Sequence, residues 1–359
     1  MAISSGGQDG SGRLYMLDGI RGIAAIEVVI FHAQIVFGGF CLFNRGYLCV
    51  DLFLILSGFV LTLSAEPKMA TGLSGLGFFR LRILRLWPMV VLGLAGGTLF
   101  QLVAGDMTGL PLLIVAALLS IPALWRSDGA LPQMFPINSP QWSIHAELIA
   151  NLAHGLFLRR LSNGGLIAII AASGLILAVL APQRGNLGIG AYNFDVLAIL
   201  PVIFATYTFG VLLARNFKPT RTLPAVPWWF ALMLPSLILL ALPVTGLDWG
   251  SGDWLAIMVL LPASFWLATK VSAPTGARKW LAELGDMSFP LYAVHVPILQ
   301  AVSLWGTGRL HWFLGVSIAL LAGLLLAQTN IQTWRPGKPL LRARKGSQFS
   351  PTVFSALND

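Results

Sequence analysis

Apolar residues in this chain come in long blocks rather than in alternation. Eleven runs approach the roughly 17 to 25 residues that cross a bilayer as a helix: 15–37, 46–65, 80–102, 109–125, 141–160, 164–182, 195–214, 227–247, 253–271, 287–306 and 312–330. The predicted architecture is all-α, a polytopic bundle of transmembrane helices. With the N-terminus inside, eleven crossings would put the basic tail Arg335, Lys338, Arg342, Arg344 and Lys345 outside, against the positive-inside tendency. The run 109–125 is the weakest: it opens at Gly109 and Pro111, holds Pro122 and leads into a loop with further prolines. Reading it as a re-entrant or interfacial piece leaves ten spans and both termini inside. Lys68, Arg80, Arg82, Arg85, Arg159, Arg160, Arg215, Lys218, Arg221, Lys270, Arg278 and Lys279 then share the cytoplasmic side, and only Arg45, Arg126, Arg184 and Arg309 fall outside.

Composition agrees with this class, since 56% of residues are hydrophobic and 10% charged, where soluble domains carry about 25% charged residues. The net charge of +9 is spread in short runs at span ends, which is the pattern of membrane orientation and not of a nucleic-acid surface. Cys41 and Cys49 are too few for a disulfide framework. They read as buried or interfacial thiols, with a bond between them the alternative. The polar head, Met1 to Gly12, lacks the charged n-region of a cleavable signal, so the first span is expected to stay in the mature chain. The expected layout is a cytoplasmic segment 1–14, a membrane domain 15–334 and a cytoplasmic tail 335–359. No pattern fixes an oligomeric state.

Ionisable residues inside spans are costly, about 2.5 to 3.5 kcal/mol each on insertion scales, and point to function. Arg21 and His32 lie eleven residues apart in the first span. That spacing is three helical turns, on one face and about 16 Å along the axis. Counting depth along each span predicts Arg21, Arg80, Arg82 and Arg85 toward the cytoplasmic ends and His32, Asp51 and Glu147 toward the outer halves. Arg82 and Arg85 stand on adjacent turns, a spacing that grips a polyanion, though snorkelling arginines at the membrane surface give the same pattern. Ser143, Glu147, Asn151 and His154 form one polar stripe, from which His145 points away; His145 and His311 read as interfacial. Ser288, Tyr292 and His295 share a face, where the tyrosine hydroxyl is in reach of the histidine, with plain packing the alternative. No His/Cys/Asp/Glu cluster has metal-ligand spacing, and none is expected to hold a metal.

Five stretches in order resemble the acyltransferase family 3 membrane proteins: LDGIRGIAAIEVVIFH over Leu17 to His32, VDLFLILSGF over Val50 to Phe59, Arg82 and Arg85 before Pro88, WSIHAE over Trp142 to Glu147, and LGDMSFPLYAVH over Leu284 to His295. Phe289 stands where the family commonly has tyrosine, and Asp286 and Pro290 are less usual neighbours of the last motif. The resemblance spans Leu17 to Pro297. The esterase-like domain that many members carry is not expected in a chain this short.

What the resemblance implies is transfer of an acyl group, usually acetyl from acetyl-CoA, to a hydroxyl of a glycan or another small acceptor, in a bacterial inner membrane. Arg21, Arg80, Arg82 and Arg85 would take the phosphates of acyl-CoA from the cytoplasmic side. His32 would act as general base on the acceptor or carry the acyl group itself. Asp51 or Glu147 would orient the imidazole, and Tyr292, beside His295, or backbone amides would stabilise the oxyanion. Expected partners are acyl-CoA, the hydroxyl acceptor and membrane lipid, with no nucleic acid. The rival reading is a transporter or flippase that uses the buried His, Asp and Glu as a proton relay.

Overall fold

The computed structural model describes residues 13–39, 42–106, 108–125, 132–218, 223 and 225–329. The N-terminal twelve residues, Cys41, the loop 126–131, Arg221 and the basic tail lie outside them. Among the described residues the chain is helical, with an isolated bridge between Gln133 and Tyr192 in place of any strand. The helices are α1 (Tyr15–Phe37), α2 (Cys49–Ala70), α3 (Gly75–Ala104), α4 (Leu110–Leu118), α5 (Gln141–Leu156), α6 (Asn163–Arg184), α7 (Ile199–Arg215), α8 (Trp228–Ala241), α9 (Trp249–Leu255), α10 (Leu261–Thr269), α11 (Thr275–Ser303) and α12 (Arg309–Ala327). A π-helical turn, Ala256–Leu260, joins α9 to α10 without a break.

Local chemistry sets the ends. The Ser74 and Ser162 hydroxyls accept from the amides of Gly77 and Gly165 at the starts of α3 and α6, and the Asp248 carboxylate does the same for Ser251 at α9. Gly105 and Gly185 close α3 and α6 in the left-handed region, at φ 80° and 78°.

Among the described residues, six helical stretches are long and apolar enough to cross a membrane: Tyr15–Phe37, Gly46–Ala70, Gly75–Ala104, Asn163–Arg184, Trp249–Thr269 and Arg309–Ala327. This is fewer than the ten expected from the sequence, for physical reasons. Helices α5, α7 and α8 have 16, 17 and 14 residues, and α11, though 29 residues long, carries Arg278, Lys279, Glu283 and Asp286 in its first half. The segment 109–125 forms only the nine-residue α4, about 13.5 Å of helix against a hydrocarbon core of about 30 Å.

Lipid competes for apolar side chains, so helices in a membrane are held together by close packing and polar contacts more than by burial itself. The main core joins α2 to α7 and α10, with Phe59 edge-on to Phe265 and to Phe217, each at 5.3 Å between ring centres. A second seam runs along α1, α11 and α12 through Ala25, Val29, Ala33, Leu291, Leu299 and Trp312. Small residues bring the helices together, since a side chain on Gly22 would run into the Leu284 backbone. The outward faces of α6 and α12 expose Ile167, Leu175, Val179, Phe313, Leu321 and Leu325, the surface a bilayer would cover.

Candidate active site

Helices α1 and α11 run parallel and in register. Arg21 Nη2 donates to the Gly285 carbonyl at 2.8 Å, and one arm's length further on His295 Nε2 lies 3.1 Å from His32 Nδ1. Eleven residues on α1 and ten on α11 rise about 16 and 15 Å, so the first contact carries the second. Each falls next to a proline of α11. Pro290 has no N–H for the Asp286 carbonyl, loosening the turn in which Arg21 and Ser288 Oγ reach Gly285 O.

The histidine pair has one self-consistent neutral arrangement. His295 Nδ1 faces the Tyr292 carbonyl at 2.8 Å and must carry a proton to bond it, which leaves Nε2 as an acceptor. His32 Nδ1 faces both that acceptor and the Val28 carbonyl at 3.0 Å, so it too carries the proton. The lone pair of His32 therefore sits on Nε2, which has no hydrogen-bond partner among the described residues. His295 is fully buried and His32 only partly.

Eleven residues back along α1, charged groups from three helices, α1, α3 and α5, meet. Arg82 Nη2 donates to Glu147 Oε1 at 2.6 Å, Ser57 Oγ donates to the same oxygen at 3.0 Å, and Arg85 stands in the field of Arg21, Arg82 and Glu147. Glu147 answers Arg82 and Asp18 pairs with Arg21 at 3.1 Å, which leaves Arg85 as the cation in excess. Arg85 has no hydrogen bond or ion pair among the described residues and is exposed, as is Arg80 on the far side of the same helix. Between the two ends, Tyr292 and Ser143 share a hydrogen bond of 2.6 Å, and Ser143 also donates to the Pro140 carbonyl at 3.0 Å. Tyr292 is therefore the donor to Ser143.

The structure corrects the sequence reading in three places. Glu147 does not lie in an outer layer above Arg82, because the two are bonded at one level. Gly155 of α5 packs against Gly75 of α3, and counting seven residues forward from Gly75 and eight back from Gly155 raises both side chains by about 10.5 and 12 Å. Second, the partners of the His32 ring are His295 and the Val28 carbonyl, whereas Glu147 is held by Arg82 and Ser57. Asp51, also buried, belongs to a separate group with Cys49, Glu27, Tyr47 and Asp253. Third, it is the carbonyl of Tyr292, not its hydroxyl, that meets His295.

The stripe on α5 is real as a face: Ser143, Asn151 and His154 are buried, the last 3.4 Å from Glu66. His145, off that face, meets Ser120 Oγ at 3.1 Å and the ring of Phe135. Sequence reasoning missed Ser57 and Asn138. Ser57 lies within the LSGF stretch, and a helical wheel of α2 gives the face it occupies but not its partner Glu147. Asn138, buried in the loop before α5, donates to the Ala293 carbonyl at 2.9 Å.

Comparison with known proteins bears on this arrangement as a whole. The chain is 34% identical over 189 residues to "Protein 2 in picA locus" of Rhizobium radiobacter, an overlap of 48% of this chain and 96% of that protein. No solved structure matches it. The family described as an acyltransferase domain matches residues 14–329, from Leu14 just before α1 to Thr329 just past α12 and so across both ends of the polar column. This helical membrane protein, with its paired histidines on α1 and α11 and its arginines on α1 and α3, belongs to the acyltransferase 3 family.

Proposed function

We propose that the protein moves an acyl group, acetyl foremost, from acyl-CoA on the cytoplasmic side to a hydroxyl of a cell-surface glycan or another small acceptor presented on the far side of a bacterial inner membrane. Family membership supports the transferase chemistry and sets the transporter reading aside. The observation that carries the finer reading is the separation of about 16 Å between an excess of arginine charge and an imidazole with a free lone pair. A polyanion docked on Arg85, Arg21 and Arg82, with Arg80 at the rim, leaves a linear arm to run along α11 past Tyr292 toward His32. CoA then need not cross the membrane.

At the far end, His32 Nε2 takes the proton of the acceptor hydroxyl as its oxygen attacks the thioester carbonyl. The carbon–sulfur bond breaks, and the same nitrogen returns the proton to the departing thiolate. His295 Nε2 accepts from His32 Nδ1–H throughout, fixing the tautomer and favouring the transient imidazolium, the part a carboxylate plays in a hydrolase triad. This reading puts both termini in the cytoplasm and lipid around α6 and α12.

Mass spectrometry of surface glycans from cells with and without the gene tests the reading. Loss of an ester-linked acyl group that returns with the wild-type protein and not with His32→Ala supports it. Identical glycan ester profiles, together with no thiol release from acetyl-CoA by the purified protein, would overturn it.

A further inference from the structure

Pro297 has no N–H, so the carbonyl of Ala293, four residues earlier on α11, loses its helical donor. Left buried and unpaired, that oxygen would be costly. Asn138 supplies the missing hydrogen: its Nδ2 lies 2.9 Å from Ala293 O, and the residue is 3% exposed. The amide cannot be turned the other way, because a carbonyl accepts only from the nitrogen.

The surroundings are shaped for this contact. On α3, a side chain at Gly93 would strike both the Ala293 carbonyl and Asn138 Nδ2, and one at Gly97 would strike the Ile137 carbonyl. The loop that carries Asn138 is tied down on its other side, where Gln141 Nε2 donates to Ala117 O at 2.6 Å and the Ala123 and Met134 amides pair at 2.8 and 3.0 Å with Met134 O and Ala191 O. The short α4 and its following loop thus end in one side chain inserted into the broken turn of α11. His295 sits inside that turn, between Ala293 and Pro297.

We propose that Asn138 is a positioning residue for the His295–His32 pair, standing in for the backbone donor that Pro297 removes. Without it, the Ala293–Pro297 turn has no fixed geometry, and His295 Nε2 is no longer held against His32 Nδ1. The inference rests on the reading of this pair as the reactive centre, but its structural half does not depend on any activity.

The test is a cycle of Asn138→Ala and Pro297→Ala, singly and together, in full-length protein labelled with ¹⁵N-histidine. The chain has five histidines, so ring signals are assigned by removing one at a time. Asn138→Ala is expected to shift the His295 and His32 ring nitrogens and to lower kcat for thiol release from acetyl-CoA about tenfold, with KM for acetyl-CoA within about twofold. In the Pro297→Ala background, where residue 297 again offers an N–H to Ala293, the same change is expected to move neither. Unchanged ring signals in Asn138→Ala, or an equal loss of kcat in both backgrounds, would overturn the proposal. Should Asn138→Ala fail to fold, the double variant must fold, and its failure would also overturn it. His32→Ala measured beside them separates the two readings: full turnover there sinks the catalytic role of His32, while the ring signals still decide the role of Asn138.

Discussion

Arg82 and Glu147 form an ion pair of 2.6 Å between α3 and α5, with Ser57 of α2 closing on the same carboxylate oxygen. The pair ties three helices at one level; with Arg21 paired to Asp18 at 3.1 Å, Arg85 is left as the cation in excess. Because the two partners are mostly covered, 11% and 22% exposed, removing one strands the other. Arg82→Ala is expected to cost about 1.5–3 kcal/mol of stability, and Arg82→Ala with Glu147→Ala together less than the sum. Thermal unfolding of the four proteins in one detergent checks this; additive losses would mean that the pair does not couple.

Arg85 offers a cleaner probe of the donor site, since it makes no protein contact that its loss would strand. Arg85→Ala is expected to leave the melting temperature unchanged and to weaken CoA binding about tenfold, the equivalent of 1.4 kcal/mol. Calorimetry with CoA on the purified variant measures it, and unchanged affinity would leave Arg85 an orientation signal.

His32 and His295 are expected to fail differently. His32→Ala should lower turnover at least about a hundredfold, as loss of a general base does. His295→Ala should lower kcat about tenfold or more while KM for acetyl-CoA stays close to wild type, because its ring touches His32 and not the arginine cluster. Steady-state thiol release from acetyl-CoA distinguishes the two, and a His295 variant altered only in KM would contradict the positioning role.

Across the Phe31 ring, which meets both His32 and Tyr47, Arg45 and Asp253 form a fully buried pair at 2.6 Å, shared with the Tyr47 hydroxyl and the Leu187 amide and covered by Trp249. Asp253→Asn removes the charge that Arg45 needs and is expected to destabilise by about 3–5 kcal/mol. The measurement is thermal unfolding, with CoA affinity as the control that should not change.

Orientation can be read independently. Single cysteines at Asp128, Gly185 and Ser347, in a background without Cys41 and Cys49, are expected to label at the first two positions and not the third when intact cells meet an impermeant thiol reagent. Labelling at Ser347 from outside would invert the bundle and put acyl delivery on the wrong face.

The block pattern of apolar residues determined the class, because no water-soluble core uses so many full-length apolar runs, and it singled out 109–125 as too broken to cross. Five motifs in order determined the family and nominated His32, Tyr292, His295, Glu147, Asp51 and the arginines. Helical periodicity also placed Arg21 and His32 on one face, which α1 keeps. What the sequence did not decide is which of these groups meet. Depth counted from each span's own end assumes that every helix starts at the membrane surface. Helix α5 starts at Gln141, after a loop that packs into the bundle through Asn138, so Glu147 falls level with Arg82 instead of above it. The pairing of His32 with His295, across 263 positions of chain, depends on two helices lying parallel and in register. The place of Asn138 depends on a carbonyl that Pro297 leaves open on another helix. Periodicity reports the face a residue occupies on its own helix, while partners are chosen by the offset between helices, and only packing sets that offset.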